Sequence, residues 1–118
     1  MRLSTHLSLE LRREGDAHVV SARGDIDLST LAKATAALDA ARPGARMVIL
    51  DLREVGFMDT SGLRLVIEEQ RRAADGGYRF AVVPGPARVQ RLFEIAGLTG
   101  DHELFVDEPP QPTGGGGD

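Results

Sequence analysis

VGFMDTSGLRLVIEE, residues 55–69, is a junction between two kinds of pattern. Before it, RMVILDL is a continuous apolar run, as expected of a strand covered on both faces of its sheet. After it, TSGLRLVIEEQRRAADGG places Leu63, Val66, Ile67 and Ala74 on one helical face and closes on Gly76-Gly77. A buried strand running straight into an amphipathic helix is a step of a parallel α/β architecture. Ser61 stands on that step, two residues after Asp59 and next to Gly62. It has three readings: a nucleophile, a helix-start residue, or a site of modification.

Outward from the junction, HLSLELRRE alternates Leu7, Leu9 and Leu11 with Ser8, Glu10 and Arg12, a half-buried strand. EGDA turns the chain into HVVSARG, which predicts a hairpin. GDIDLST reads as a loop, with Asp27 or Ser29 as the N-cap of a helix in TLAKATAALDAARPG that stops at Pro43-Gly44. REVGFMDTSG reads as the loop after the buried strand. YRFAVV is a further strand, PGPARVQRLFEIAGL a helix facing inward with Val89, Leu92, Phe93 and Ala96, and ELFV a short edge strand. DEPPQPTGGGGD, residues 107–118, has too few apolar side chains to bury and is expected to be a disordered tail beyond a domain of residues 3–106. The predicted fold is α/β: a mixed β-sheet with a parallel centre, an antiparallel edge hairpin and three packed helices.

Composition narrows the function. A chain of 118 residues makes one domain. Its net charge of −4 gives no broad attraction to nucleic acid or anionic membrane. It has no cysteine and three scattered histidines, His6, His18 and His102, so no metal site or cofactor is expected. No apolar run is long enough to span a bilayer and the first residues lack a signal-peptide core, so a cytoplasmic protein is expected.

In parallel units, the loops leaving the carboxyl ends of the strands open at one end of the sheet. Here that end gathers Asp25, Asp27, Ser29 and Thr30 from the first loop, Asp59, Thr60, Ser61 and Gly62 from the second, and Pro84-Gly85-Pro86 from the third. Catalysis by Ser61 needs a base and an orienting group, yet no histidine falls in these loops and the G-x-S-x-G elbow is absent. A Mg²⁺-assisted aspartyl phosphotransfer site, as in receiver domains, needs a lysine at the end of the last strand; the single lysine, Lys33, lies in the first predicted helix. No phosphate-binding G-x-x-x-x-G-K-[ST] loop is present. An enzyme is therefore not expected. Capping is the plain account of D-T-S-G before a helix: either Asp59 or Ser61 caps, with Met58 and Leu63 as the hydrophobic staple. Asp25 reads by default as solvated surface.

The ordered set GDIDLSTLAKATAAL, VILDLREVGFMDTSGLRLVIE and RFAVVPGPARVQRLFEIAGL resembles the STAS domain of anti-sigma factor antagonists, from about Leu7 to Val106. The resemblance implies a bacterial switch without catalysis of its own. The unphosphorylated form binds an anti-sigma factor serine kinase and frees a sigma factor; the kinase phosphorylates the serine before the glycine, here Ser61, and a serine phosphatase resets it. Asp27 matches an aspartate expected at the partner surface, and the partner-binding set is Asp25, Asp27, Ser29, Asp59, Thr60, Gly62 and Leu63. Gly62 is expected to leave the hydroxyl open to a kinase. STAS domains also serve as soluble subunits of membrane transport complexes, where Ser61 would be structural.

Overall fold

The computed structural model describes residues 6–100 and 103–110. Its elements, in chain order, are β1 (Leu7–Glu14), β2 (Ala17–Ile26), α1 (Leu31–Ala41), β3 (Met47–Met58), α2 (Thr60–Gly76), β4 (Arg79–Val83) and α3 (Ala87–Ile95). The sheet order is β1-β2-β3-β4, with β1 antiparallel to β2 and the rest parallel. This is the mixed sheet with an antiparallel edge that the hydrophobic pattern predicts. Successive crossovers march in one direction, so crossovers of one hand lay their helices on one face. Leu38 of α1, Val66 of α2 and Phe93 of α3 accordingly share a core with Val20, Leu50 and Val82 of the sheet. The opposite face carries a smaller apolar cluster of Val19, Ile49, Ala81 and Val83.

Several expectations are corrected. REVGFM is not a loop, because β3 continues to Met58 and β2 continues through Asp25 and Ile26. Two register shifts against β2 put extra residues into β3, between Asp51 and Glu54 and between Val55 and Phe57. Each bulge resets which face a residue meets. Leu52, Val55 and Met58, three apart, therefore all point into the core, and the alternation that marks a strand is lost. On α2 the buried residues are Gly62, Leu65, Val66, Glu69 and Ala73, while Leu63 and Ile67 are half-buried and Ala74 is exposed. The inward face is turned because Glu69 belongs to it. Its carboxylate is buried but takes two bonds from Arg42 (2.9 and 3.0 Å) and one from the Tyr78 hydroxyl (2.7 Å). On α3, Val89 and Phe93 are buried, Leu92 packs partly buried against the core and Ala96 is exposed.

ELFV makes a single bridge rather than a strand: Phe105 pairs parallel with Val82. Nor does the chain leave the fold at Val106. Pro109 is buried and the Pro110 carbonyl accepts from Arg12 Nη2 at 2.7 Å. Residues 111–118 of the expected tail lie outside the described residues.

Candidate functional site

The β3–α2 junction is built by its own side chains. Asp59, extended and at the N-cap of α2, accepts from the Ser61 amide at 2.9 Å and from the Ser61 hydroxyl by a short hydrogen bond to the same oxygen. This satisfies one of the amides that the first turn leaves without a helical partner. Asp59, and not Ser61, is the cap. Gly62 follows because α2 starts directly over the core. A Cβ there would run into the Met58 side chain and come within 3.0 Å of Ile26 Cγ2. Gly62 is buried, so its contribution to the site is close packing beneath Ser61.

The β2–α1 loop repeats the arrangement. Asp27 Oδ1 accepts from the Ser29 amide at 2.9 Å, the Ser29 hydroxyl at 2.7 Å and the Thr30 amide at 3.2 Å. The Ser29 hydroxyl bond above all holds the Asp27 carboxyl below the ordinary aspartate pKa. The N-cap position of α1 is Thr30, a correction to Asp27 or Ser29; its hydroxyl accepts from the Asp27 amide and donates to the Asp25 carbonyl. Asp25 is buried on β2, not solvated surface as read from the sequence. Thr30 and Asp27 are thus braced on β2, and the Asp59 amide donates to the Ile26 carbonyl at 3.2 Å, which ties the two loops together.

Between the two loops and their helices lies an open groove of about 350 Å³, lined by Asp59, Thr60 and Ser61 with Leu28, Leu31, Thr35, Arg64, Leu65 and Glu68. The structure therefore brings Asp59, Thr60 and Ser61 together on it. Asp25, Asp27, Ser29 and Gly62 stand beside or beneath the groove and do not line it, and Leu63 faces an adjoining depression with Ile67 and Arg71. The Pro84-Gly85-Pro86 loop is not part of the lining. Sequence reasoning missed Leu28, Leu31 and Arg64. The available signal was a leucine set between Asp27 and Ser29, in a segment otherwise polar; it is 76 % exposed. Phe57, 44 % exposed beside Met58, adds apolar surface at the C-terminal end of β3. Arg64 makes no ion pair with any described residue.

No histidine lines the groove, and among the described residues no group of three or more His, Cys, Asp or Glu side chains is placed to hold a metal ion. Ser61's hydroxyl is spent on a carboxylate that already caps the helix. The groove has apolar walls, one cation, two carboxylates and the Ser61 hydroxyl at its rim.

Comparison with known proteins places this architecture. The family model described as the Mlab, STAS domain matches residues 9–107. The chain belongs to the STAS domain family. A STAS relative, the anti-sigma-B factor antagonist of Staphylococcus aureus, is 27% identical over 94 residues, covering 79% of this chain and 87% of the relative. Among solved structures, an anti-sigma factor antagonist from Mycobacterium paratuberculosis superposes with a TM-score of 0.75 at 22% identity, covering 85% of this chain and 86% of that one. SpoIIAA in its unphosphorylated form gives 0.71 at 20%, covering 86% and 88%, and SpoIIAA of Bacillus in its phosphorylated form 0.66 at 19%, covering 86% and 91%. These structures share the STAS fold. No helix among the described residues is long and apolar enough to cross a membrane.

Proposed function

We propose that this STAS chain is an anti-sigma factor antagonist. Its unphosphorylated form binds an anti-sigma factor serine kinase and releases a sigma factor. Phosphorylation of Ser61 switches it off, and a serine phosphatase restores it. The observation that carries the reading is the place of Ser61: a half-buried hydroxyl in the first turn of α2, on the rim of an apolar-walled groove. The antagonist relatives and a fold neighbour solved with and without phosphate support it.

The chemistry follows from one hydrogen atom. In the free hydroxyl form, Ser61 Oγ donates to Asp59. Phosphorylation replaces that hydrogen, so the donor is lost and Asp59 faces a group of charge about −1.5 to −2. The amides at the start of α2 tolerate the anion, and the fold is retained. The cost falls on binding. Glu68 and Asp59 already border the groove against its single cation, Arg64, and a phosphate buried there against a partner that brings no further cations is repelled and desolvated at several kcal/mol. Each 1.4 kcal/mol or so is a factor of ten in affinity, so a loss of about a hundredfold or more is expected.

The test is calorimetric titration of the anti-sigma factor kinase with full-length protein carrying serine or genetically installed phosphoserine at position 61. Tight binding by the first and weak binding by the second is expected. Equal binding by both contradicts the switch. Capture of a membrane ATPase from the native cell, with no soluble kinase, replaces it with the transport-subunit reading.

A further inference from the structure

The helices of this protein cover one face of its sheet, yet Val19, Ala81 and Val83 on the other face are fully buried and Ile49 nearly so. Something covers them. Phe105 pairs with Val82 at the β4 edge, and Val106 packs against the cluster. Five residues after Phe105 the Pro110 carbonyl is held by Arg12 of β1, the opposite edge of the sheet. Arg12 is the register partner of Val19, so the two side chains share the helix-free face. From Phe105, one step outside β4, to β1 is four interstrand steps, about 19 Å at about 4.8 Å each, and the Arg12 side chain reaching inward from β1 spans the last of them. Five extended residues reach about 16 Å. Residues 106–110 therefore cross the sheet nearly straight, over the apolar cluster. Pro109 is buried on the way, and the charge of Glu108 acts on Arg53, whose guanidinium is bound to Asp51 of β3.

We infer that the helix-free face is a second binding surface, built for an extended acidic segment followed by prolines and filled in cis by residues 107–110. Its parts match that chemistry. The apolar cluster packs against Val106, Pro109 is buried three residues further on, Arg12 donates to the Pro110 carbonyl, and the charge of Glu108 acts on Arg53 without an ion pair. A segment with two consecutive prolines is already extended and loses little freedom on docking. The surface lies on the sheet face opposite to the core that seats α1 and α2, so it and the Ser61 groove are occupied independently.

Methyl-detected NMR on the full chain tests this. The Val19, Ile49 and Val83 methyls should show contacts to the Pro109 ring, and their absence overturns the proposal without any mutation. In the full chain carrying Pro109→Gly and Pro110→Gly the Val19, Ile49 and Val83 methyl resonances should shift with the circular dichroism spectrum kept, since both prolines lie outside every helix and strand, and unshifted methyls contradict the proposal. A synthetic peptide of residues 106–113, VDEPPQPT, should then shift the same methyls saturably in trans. The same peptide with glycine for both docking prolines should bind at least tenfold more weakly. A peptide that leaves these methyls unmoved, or moves only the α1–α2 groove, contradicts the assignment.

Discussion

Ser61 and Asp59 act as one unit, because a single carboxylate oxygen holds both the amide and the hydroxyl of Ser61. Ser61→Ala keeps the amide bond and the helix start. It should bind the kinase partner within a few-fold of the wild type and take no phosphate at this position, read by titration and a phosphorylation assay. Asp59→Ala removes the cap and should cost about 1 kcal/mol in denaturant unfolding. Gly62→Ala pushes a methyl group against Met58 and Ile26 and should cost about 1–3 kcal/mol, a packing loss distinct from any loss of phosphate acceptance. Asp27 gives a pH signature. Its folded pKa lies below the ordinary aspartate value, so its contribution to stability is present above the unfolded pKa and is lost as pH falls through the folded one. Ser29→Ala removes the largest cause, and carboxyl NMR should show the Asp27 pKa rising.

Among the elements, α2 is fixed by a buried charge. Glu69 binds Arg42 at the end of α1 and Tyr78 just before β4, so one carboxylate joins three segments. Arg42→Ala strands that carboxylate and should cost about 3 kcal/mol, measured by chemical denaturation. Burial first, and then the bond to Glu69, raises the Tyr78 hydroxyl to about 12. Tyr78 is the only tyrosine, so ultraviolet titration reads it alone. Its raised pKa stabilises the fold fully below the unfolded value and is lost as pH rises through about 12; Glu69→Gln should bring the transition down. These elements also mark how far the sequence could be read. The apolar run of residues 47–52, the alternation of β1 and the capped start of α2 follow local rules and were legible. The end of β3 was not, because two bulges replaced a period of two with a spacing of three. The true face of α2 was hidden for another reason: a glutamate at residue 69 looks solvent-facing until Arg42 and Tyr78, distant in sequence, are seen to reach it. At the site, Ser61 and Asp59 were legible from the motif. Leu28 was signalled only by its place among polar residues, and Leu31 and Arg64 were not legible, because they meet only where α1 and α2 pack side by side.

At the scale of the molecule, one sheet presents two surfaces. The groove between α1 and α2 carries the hydroxyl, and the opposite face carries the chain's own proline segment. The sheet between them is packed through, with Val20, Leu50 and Val82 fully or almost fully buried. Under the proposed switch, a phosphate on Ser61 would act by changing surface charge and not by rearranging the fold. Phosphoserine at position 61 should leave the circular dichroism spectrum unchanged while weakening partner binding. The central claim rests on where phosphate is placed in the living cell. Intact mass and peptide mapping of the protein from its native cell read that directly. One phosphate on Ser61, in a fraction of molecules that changes with growth condition, is the predicted result. An unmodified Ser61 under every condition would contradict the switch and leave the serine as a residue of the helix start.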